Sequence, residues 1–94
     1  MLDFQAIFSE LKKKSLNWDL LDGKMIRKEF VNKDFKTAMK FVNSVAELSE
    51  KKNHHPDIHI FYNKVVIELW THSEGGVTNK DIELAEEIDK IILS

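Results

Sequence analysis

The stretch Ile58-His59-Ile60-Phe61-Tyr62-Asn63-Lys64-Val65-Val66-Ile67-Glu68-Leu69-Trp70-Thr71 decides the fold. It is rich in β-branched and aromatic residues, and Asn63-Lys64 interrupts it as a turn, so it reads as a hairpin. With Asn63-Lys64 as a two-residue loop, Tyr62 faces Val65, Ile60 faces Ile67 and Ile58 faces Leu69. Those six side chains fall on one side and make a core face. The other side pairs Phe61 with Val66, His59 with Glu68 and Asp57 with Trp70. The same register, extended, sets His55 opposite His72, with Cβ atoms ~5 Å apart in a regular ladder. Pro56 perturbs these last rungs. The hairpin therefore predicts a patch of three imidazoles, His54, His55 and His72, beside Trp70 at its open end.

Upstream, Asp34 to Lys52 reads as the longest helix. Phe35, Ala38, Met39, Val42, Val45, Ala46 and Ser49 follow the helical spacing, with Phe41 and Leu48 widening the stripe. Asp34 or Asn32 caps it, and it ends before Pro56, whose ring pushes the preceding residue out of helical geometry. Asp22-Gly23 lies between two partly apolar runs and signals an earlier two-residue hairpin. Ile26, Lys28 and Phe30 share one side of it; Met25, Arg27 and Glu29 share the other. Leu2 to Lys13 forms a first helix, with Asp3 in its first turn and Lys12 to Lys14 at its end, as the helix dipole favours. After Gly75-Gly76, Thr78-Asn79-Lys80-Asp81 opens a last helix in capping-box style, with buried positions at Ile82, Ala85, Ile88 and Ile92. The order α-β-β-α-β-β-α predicts an α+β domain spanning 1–94, a two-layer structure with a four-stranded antiparallel sheet backed by helices. A sheet covered on one side leaves edges and a face that self-association can cover.

Composition narrows the chemistry. A chain of 94 residues has room for one core and buries roughly 65% of its unfolded surface. Cysteine is absent, which excludes disulfides, thiolate metal sites and thiol nucleophiles. Fourteen basic and sixteen acidic residues give a net charge of −2, with no basic footprint for nucleic acid or anionic lipid. No apolar run approaches the ~20 residues of a membrane helix. Met1-Leu2-Asp3-Phe4 lacks the basic region of a signal peptide, so a cytosolic location is expected.

Four histidines stand out, three of them between positions 54 and 59. Free imidazole titrates at about 6.5 and suits proton transfer near neutrality. Two or three in one site can act as acid and base, which is typically worth about 10²–10⁴-fold. An adjacent indole offers a flat surface to a planar ligand. Plainer readings stand beside this one. A His pair before proline is also a common solvated loop; His59 opposite Glu68 reads as a cross-strand ion pair; Trp18 and Trp70 suit either a core or an interface. A zinc site from His54, His55, His59 and His72 needs a bent backbone, because neighbouring strand residues point to opposite faces. No metal is expected.

The combined pattern resembles the pterin-4a-carbinolamine dehydratases. Glu50, three residues, His54-His55-Pro56, then Tyr62 after five residues, His72 after nine and Asp81 after eight reproduce that family's spacing. The likeness extends back through Trp18, Asp22-Gly23 and Lys33-Asp34-Phe35, and forward to Leu84-Ala85. It implies loss of water from a 4a-hydroxy-tetrahydropterin to give a quinonoid dihydropterin, recycling the cofactor of an aromatic amino acid hydroxylase. Pterin is then the substrate, and no metal or organic cofactor is needed.

By the same resemblance, His54 and His72 are the acid/base pair and His55 binds or orients the pterin, with Pro56 holding the loop. Asn53, Pro56 and the stretch Trp70, Thr71, His72 and Ser73 contact the substrate. Asp81 and Glu50 orient histidines, Asp81 in addition to capping. Assembly into homodimers or homotetramers is implied too. Two further roles occur among such domains: dimerisation partner of a homeodomain transcription factor, and a step in molybdopterin metabolism. Trp70 replaces a small polar residue of some relatives, and Ser73-Glu74-Gly75-Gly76 is a glycine-rich version of the family's loop.

Overall fold

Each helix starts on a side chain that satisfies its free backbone N–H groups. In the computed structural model, which describes residues 1–93 and side chains through residue 91, helix α1 spans Phe4–Lys13 and α2 spans Phe35–Lys52. Asp3 is the N-cap of α1 rather than a first-turn residue, accepting from Ala6 N at 2.8 Å. Asp34 caps α2, accepting from Thr37 N at 2.8 Å. Hydrogen bonding from Thr37, chiefly its backbone N–H, holds the Asp34 carboxyl below its ordinary range. The stabilisation this adds is present above the usual carboxylate pKa and is lost as pH falls through the lowered value.

Helix α3 spans Asn79–Leu93 and opens with the capping box expected for it. Thr78 Oγ1 accepts from Lys80 N (3.3 Å), and Asp81 Oδ2 reaches back to Thr78 N (2.9 Å).

Strands β1 (Asp19–Leu21), β2 (Met25–Val31), β3 (Asp57–Phe61) and β4 (Lys64–Leu69) form one antiparallel sheet in the order β1-β2-β4-β3. The pleat puts Ile26, Phe30, Val65, Ile67 and Leu69 on the face that meets the helices. Ile7 and Leu11 of α1, Ala38, Phe41 and Val45 of α2, and Ile82, Leu84, Ala85 and Ile88 of α3 join them in one buried cluster. Trp18 belongs to this core: its ring packs edge-on to Phe30 and its indole N–H donates to Asp89. The two layers and the four antiparallel strands are therefore as expected. The opposite face is ionic, with Arg27–Glu68 and Lys64–Glu29 bridging β2 and β4.

Helix faces differ in detail from the periodicity. The buried line of α2 runs through Ala38, Phe41, Val45 and Ser49, leaving Phe35 and Ala46 exposed. On α1, Phe4 and Phe8 pack together outside the core. An apolar stripe wider than the facing sheet cannot bury both its margins. The side chain of Ile92 lies outside the described residues.

Both turns also differ. Asp22 and Gly23 take positive φ (52° and 65°), as tight hairpin turns require, but the ladder resumes at Leu21 opposite Met25, making the loop three residues long. The second loop is Tyr62-Asn63, not Asn63-Lys64: Phe61 faces Lys64, Ile60 faces Val65 and Ile58 faces Ile67. Asn63 is held from across the sheet. Its side-chain amide donates to Asn32 O (3.0 Å) and its carbonyl accepts from Asn32 N (2.7 Å). Tyr62 then takes the positive φ of 54° that the loop demands. The register moves by two residues, an even number, so every side chain keeps its face.

Helix α2 ends on Asn53 in the left-handed region (φ 51°, ψ 42°). His54 N donates to Ser49 O (3.1 Å) and Asn53 N to Glu50 O (3.3 Å), the paired closing bonds of a Schellman motif. This reversal throws His54 and His55 out of the helix toward the end of β4. Asn53→Gly is expected to retain stability and Asn53→Val to lose about 1–2 kcal/mol, because a β-branched residue resists positive φ. Urea unfolding of the two variants checks this; equal midpoints would contradict it.

Candidate active site

The chain leaves α2 through Asn53 and leaves β4 through Trp70, and a cavity of about 320 Å³ opens between these exits. Asn53, His54, His55, Trp70, Thr71, His72, Ser73 and Lys80 line it. The hairpin register alone predicted this gathering by setting His55 opposite His72. With the observed turn, the same extension instead counts His55 opposite Trp70 and His54 opposite Thr71. The histidines meet through the Schellman reversal and a single 3₁₀ turn at His72–Glu74, not through a continued ladder.

That turn is closed by Thr71 N donating to Gly76 O (2.8 Å) and Gly75 N to His72 O (3.2 Å), with Gly75 at φ 69°. The glycine-rich loop is thus pinned at both ends. Gly76 lies so close to the Met1 sulfur that a Cβ there would sit 2.6 Å from it.

Asp81 organises one wall. It is completely buried. Oδ1 lies 2.5 Å from His54 Nε2, and Oδ2 accepts from Thr71 Oγ1 (2.8 Å) and Thr78 N (2.9 Å). Thr71 Oγ1 is also 2.7 Å from Thr78 Oγ1. Because Thr71 donates to the carboxylate, it must accept from Thr78, whose own oxygen accepts from Lys80 N. Every proton in the chain is assigned by this order. A carboxylate partner requires the His54 proton on Nε2, which leaves the lone pair of the neutral ring on Nδ1. Thr71 is therefore buried and already bonded, a brace for Asp81 more than a free hydroxyl.

His55 has its own carboxylate, Glu50 Oε2, at 2.5 Å from Nε2, but this pair is exposed to solvent. The His72 ring makes no hydrogen bond among the described residues; it stacks on Trp70, centroids 4.0 Å apart and planes 28° from parallel. Trp70 Nε1 points to Asp57 Oδ2 at 3.4 Å. Two imidazoles are thus paired with carboxylates, and the third lies unbonded against an aromatic plane.

Pro56, expected to contact the substrate, does not line the cavity; it carries the chain from His55 into β3. His59 stands apart on the ionic sheet face, with Nε2 2.9 Å from Glu68 Oε1. It faces Val66 in the ladder and reaches Glu68 diagonally. Tyr62 lies at the far end of the hairpin. Among the described residues no three of His, Asp and Glu are grouped so as to hold a metal ion, and no helix is long and apolar enough to cross a membrane.

The sequence profile described as pterin 4 alpha carbinolamine dehydratase matches residues 1–91. The chain belongs to this family. A Sulfurisphaera tokodaii protein provisionally named pterin-4-alpha-carbinolamine dehydratase is 45% identical over 94% of this chain and 92% of its own length. A Prochlorococcus marinus protein with the same provisional name is 52% identical over 86% and 84%. The crystal structure of a transcriptional coactivator/pterin dehydratase from Brucella melitensis superposes with a TM-score of 0.88 at 37% identity, covering 96% of both chains. A pterin dehydratase-like RuBisCO assembly factor of the alpha-carboxysome shares the fold at 23% identity, with a TM-score of 0.67 over 78% of this chain and 86% of its own.

One cavity residue escaped the sequence reading: Lys80. It looked like the interior of a capping box. The signal that could have found it is its charge, since a cation in the first turn of a helix opposes the helix dipole.

Proposed function

We propose that this chain dehydrates a 4a-hydroxy-tetrahydropterin to the quinonoid dihydropterin. The observation that carries the reading is the convergence of His54, His55 and His72 on one cavity floored by Trp70, with a buried carboxylate behind His54. In the reaction the C4a–O bond breaks, the hydroxyl leaves as water after gaining a proton, and a ring N–H proton is lost. No electrons enter or leave, so the step needs no redox cofactor, and pterin is the substrate. His54, with Asp81 ready to stabilise the charged ring, and His72, whose ring nitrogens have no protein partner among the described residues, serve as the acid/base pair. His55, steadied by Glu50, orients the pterin, whose flat ring lies against the Trp70–His72 stack. Asn53 and Ser73 supply further polar contacts.

The setting we infer is recycling of a tetrahydropterin cofactor in the cytosol, with the protein acting as a homodimer or homotetramer and without nucleic-acid or membrane partners. Two open edges, β1 and β3, and the exposed Phe4, Phe8 and Phe61 support self-association.

The test is dehydration of freshly generated 4a-hydroxy-tetrahydropterin, followed by absorbance. Acceleration over the buffer rate is expected. A folded protein that gives none would remove the enzyme reading and leave a non-catalytic binding role, such as the coactivator function named for the Brucella relative.

A further inference from the structure

The eight residues around the cavity divide into two groups. His54, His55, Trp70 and Thr71 are each engaged by a carboxylate: Asp81, Glu50, Asp57 and Asp81 again. Asn53, His72, Ser73 and Lys80 have no side-chain hydrogen bond or ion pair among the described residues. The cavity thus has a braced part and an open part, and the open part holds an amide, an imidazole, a hydroxyl and an ammonium. The neighbouring carboxylates Glu50, Asp57 and Asp81 already face other groups, and no acidic residue lines the cavity. Lys80 is left as its one uncompensated fixed charge.

Its position makes the point sharper. Lys80 lies in the first turn of α3, where the dipole disfavours a cation. Its backbone N–H serves the capping box through Thr78, so the helix requires nothing of its side chain. An ammonium placed against the local field, exposed at the rim of a cavity and lacking a counter-ion, fits an anion delivered by the ligand.

We propose that Lys80, with Ser73 of the same cavity lining, recognises a phosphate ester on the tail of the pterin. The proposal rests on the dehydratase reading for the ring and adds the class of its substituent. The ring occupies the histidines and the Trp70–His72 stack, and the tail leaves past Ser73 toward Lys80 at the start of α3.

The test compares two stable pterins with the same trihydroxypropyl tail, one neutral and one a phosphate monoester, by isothermal titration against the full chain at low salt. The ester is expected to bind about five- to tenfold more tightly. That preference should shrink toward unity at high salt, vanish in Lys80→Gln and persist in Lys80→Arg. Inorganic phosphate alone should bind far more weakly than the ester. Equal affinity for the two pterins, a preference that survives Lys80→Gln, or inorganic phosphate binding as tightly as the ester would each overturn the proposal. If dehydration proceeds without the preference, only the tail assignment fails. If the preference stands without dehydration, only the dehydratase reading fails. If neither pterin binds, both fail.

Discussion

Asp81→Asn is expected to lower the dehydration rate by about 10²–10⁴-fold while leaving the fold in place. Oδ2 of Asp81 receives two donors, Thr71 Oγ1 and Thr78 N. An asparagine must therefore turn its oxygen toward them and its NH₂ toward His54. Nε2 of His54 then has to accept a hydrogen bond where it formerly donated one, and the proton of the neutral ring moves to Nδ1. The tautomer is reversed and the counter-charge for the imidazolium is gone, although the shape of the wall is kept. The variant should lose about 1–3 kcal/mol of stability, because a charge-assisted bond in a buried site becomes a neutral one. Asp81→Ala should lose about 2–4 kcal/mol, since it also removes the helix cap and strands the Thr71 and Thr78 donors. Steady-state rates, urea unfolding and ¹⁵N shifts of the His54 ring separate the two effects. Wild-type turnover by Asp81→Asn would dismiss the orienting role of this carboxylate.

His72→Ala and His54→Ala are each expected to cost about 10²–10⁴-fold in rate, but with different effects on stability. His72 is exposed and its ring makes no hydrogen bond, so its loss should change stability by no more than about 0.5 kcal/mol. His54 is the partner of a fully buried carboxylate, and its loss should destabilise measurably. The His72 variant is therefore the cleaner probe of chemistry, and full activity in it would refute the acid/base pair proposed above. His55→Ala should act more on KM than on kcat, because its Glu50 pair is open to solvent and its proposed task is to hold the ring.

The hairpin shows why part of this site was legible and part was not. Strand periodicity is two, so placing Ile58 and Ile60 with Val65, Ile67 and Leu69 on the core face needed only parity. A turn misplaced by one position changed the register by two and left every face intact. The turn itself depends on Asn32, 31 residues away, whose backbone clamps Asn63. Nothing local to Tyr62-Asn63-Lys64 encodes that clamp. Likewise the width of an apolar stripe is visible along a helix, but which margin is buried depends on the sheet beneath it. This left Phe35, Ala46, Phe4 and Phe8 outside the core.

For the site, the spacing of Glu50, His54-His55-Pro56, His72 and Asp81 was readable because each member sits beside a local stop signal: a helix end, a proline, a strand end and a helix cap. What the sequence by itself determined is the element order, the faces of the strands, the capping box of the last helix and the identity of the three imidazoles, all set by interactions within a few residues. Only the tertiary structure decided that His54 belongs to Asp81 and His55 to Glu50, that His72 is the unbonded ring, and that Lys80 completes the cavity wall. Those assignments depend on where α2, β4 and α3 come together, and a through-space contact between elements has no periodicity along the chain from which to read it.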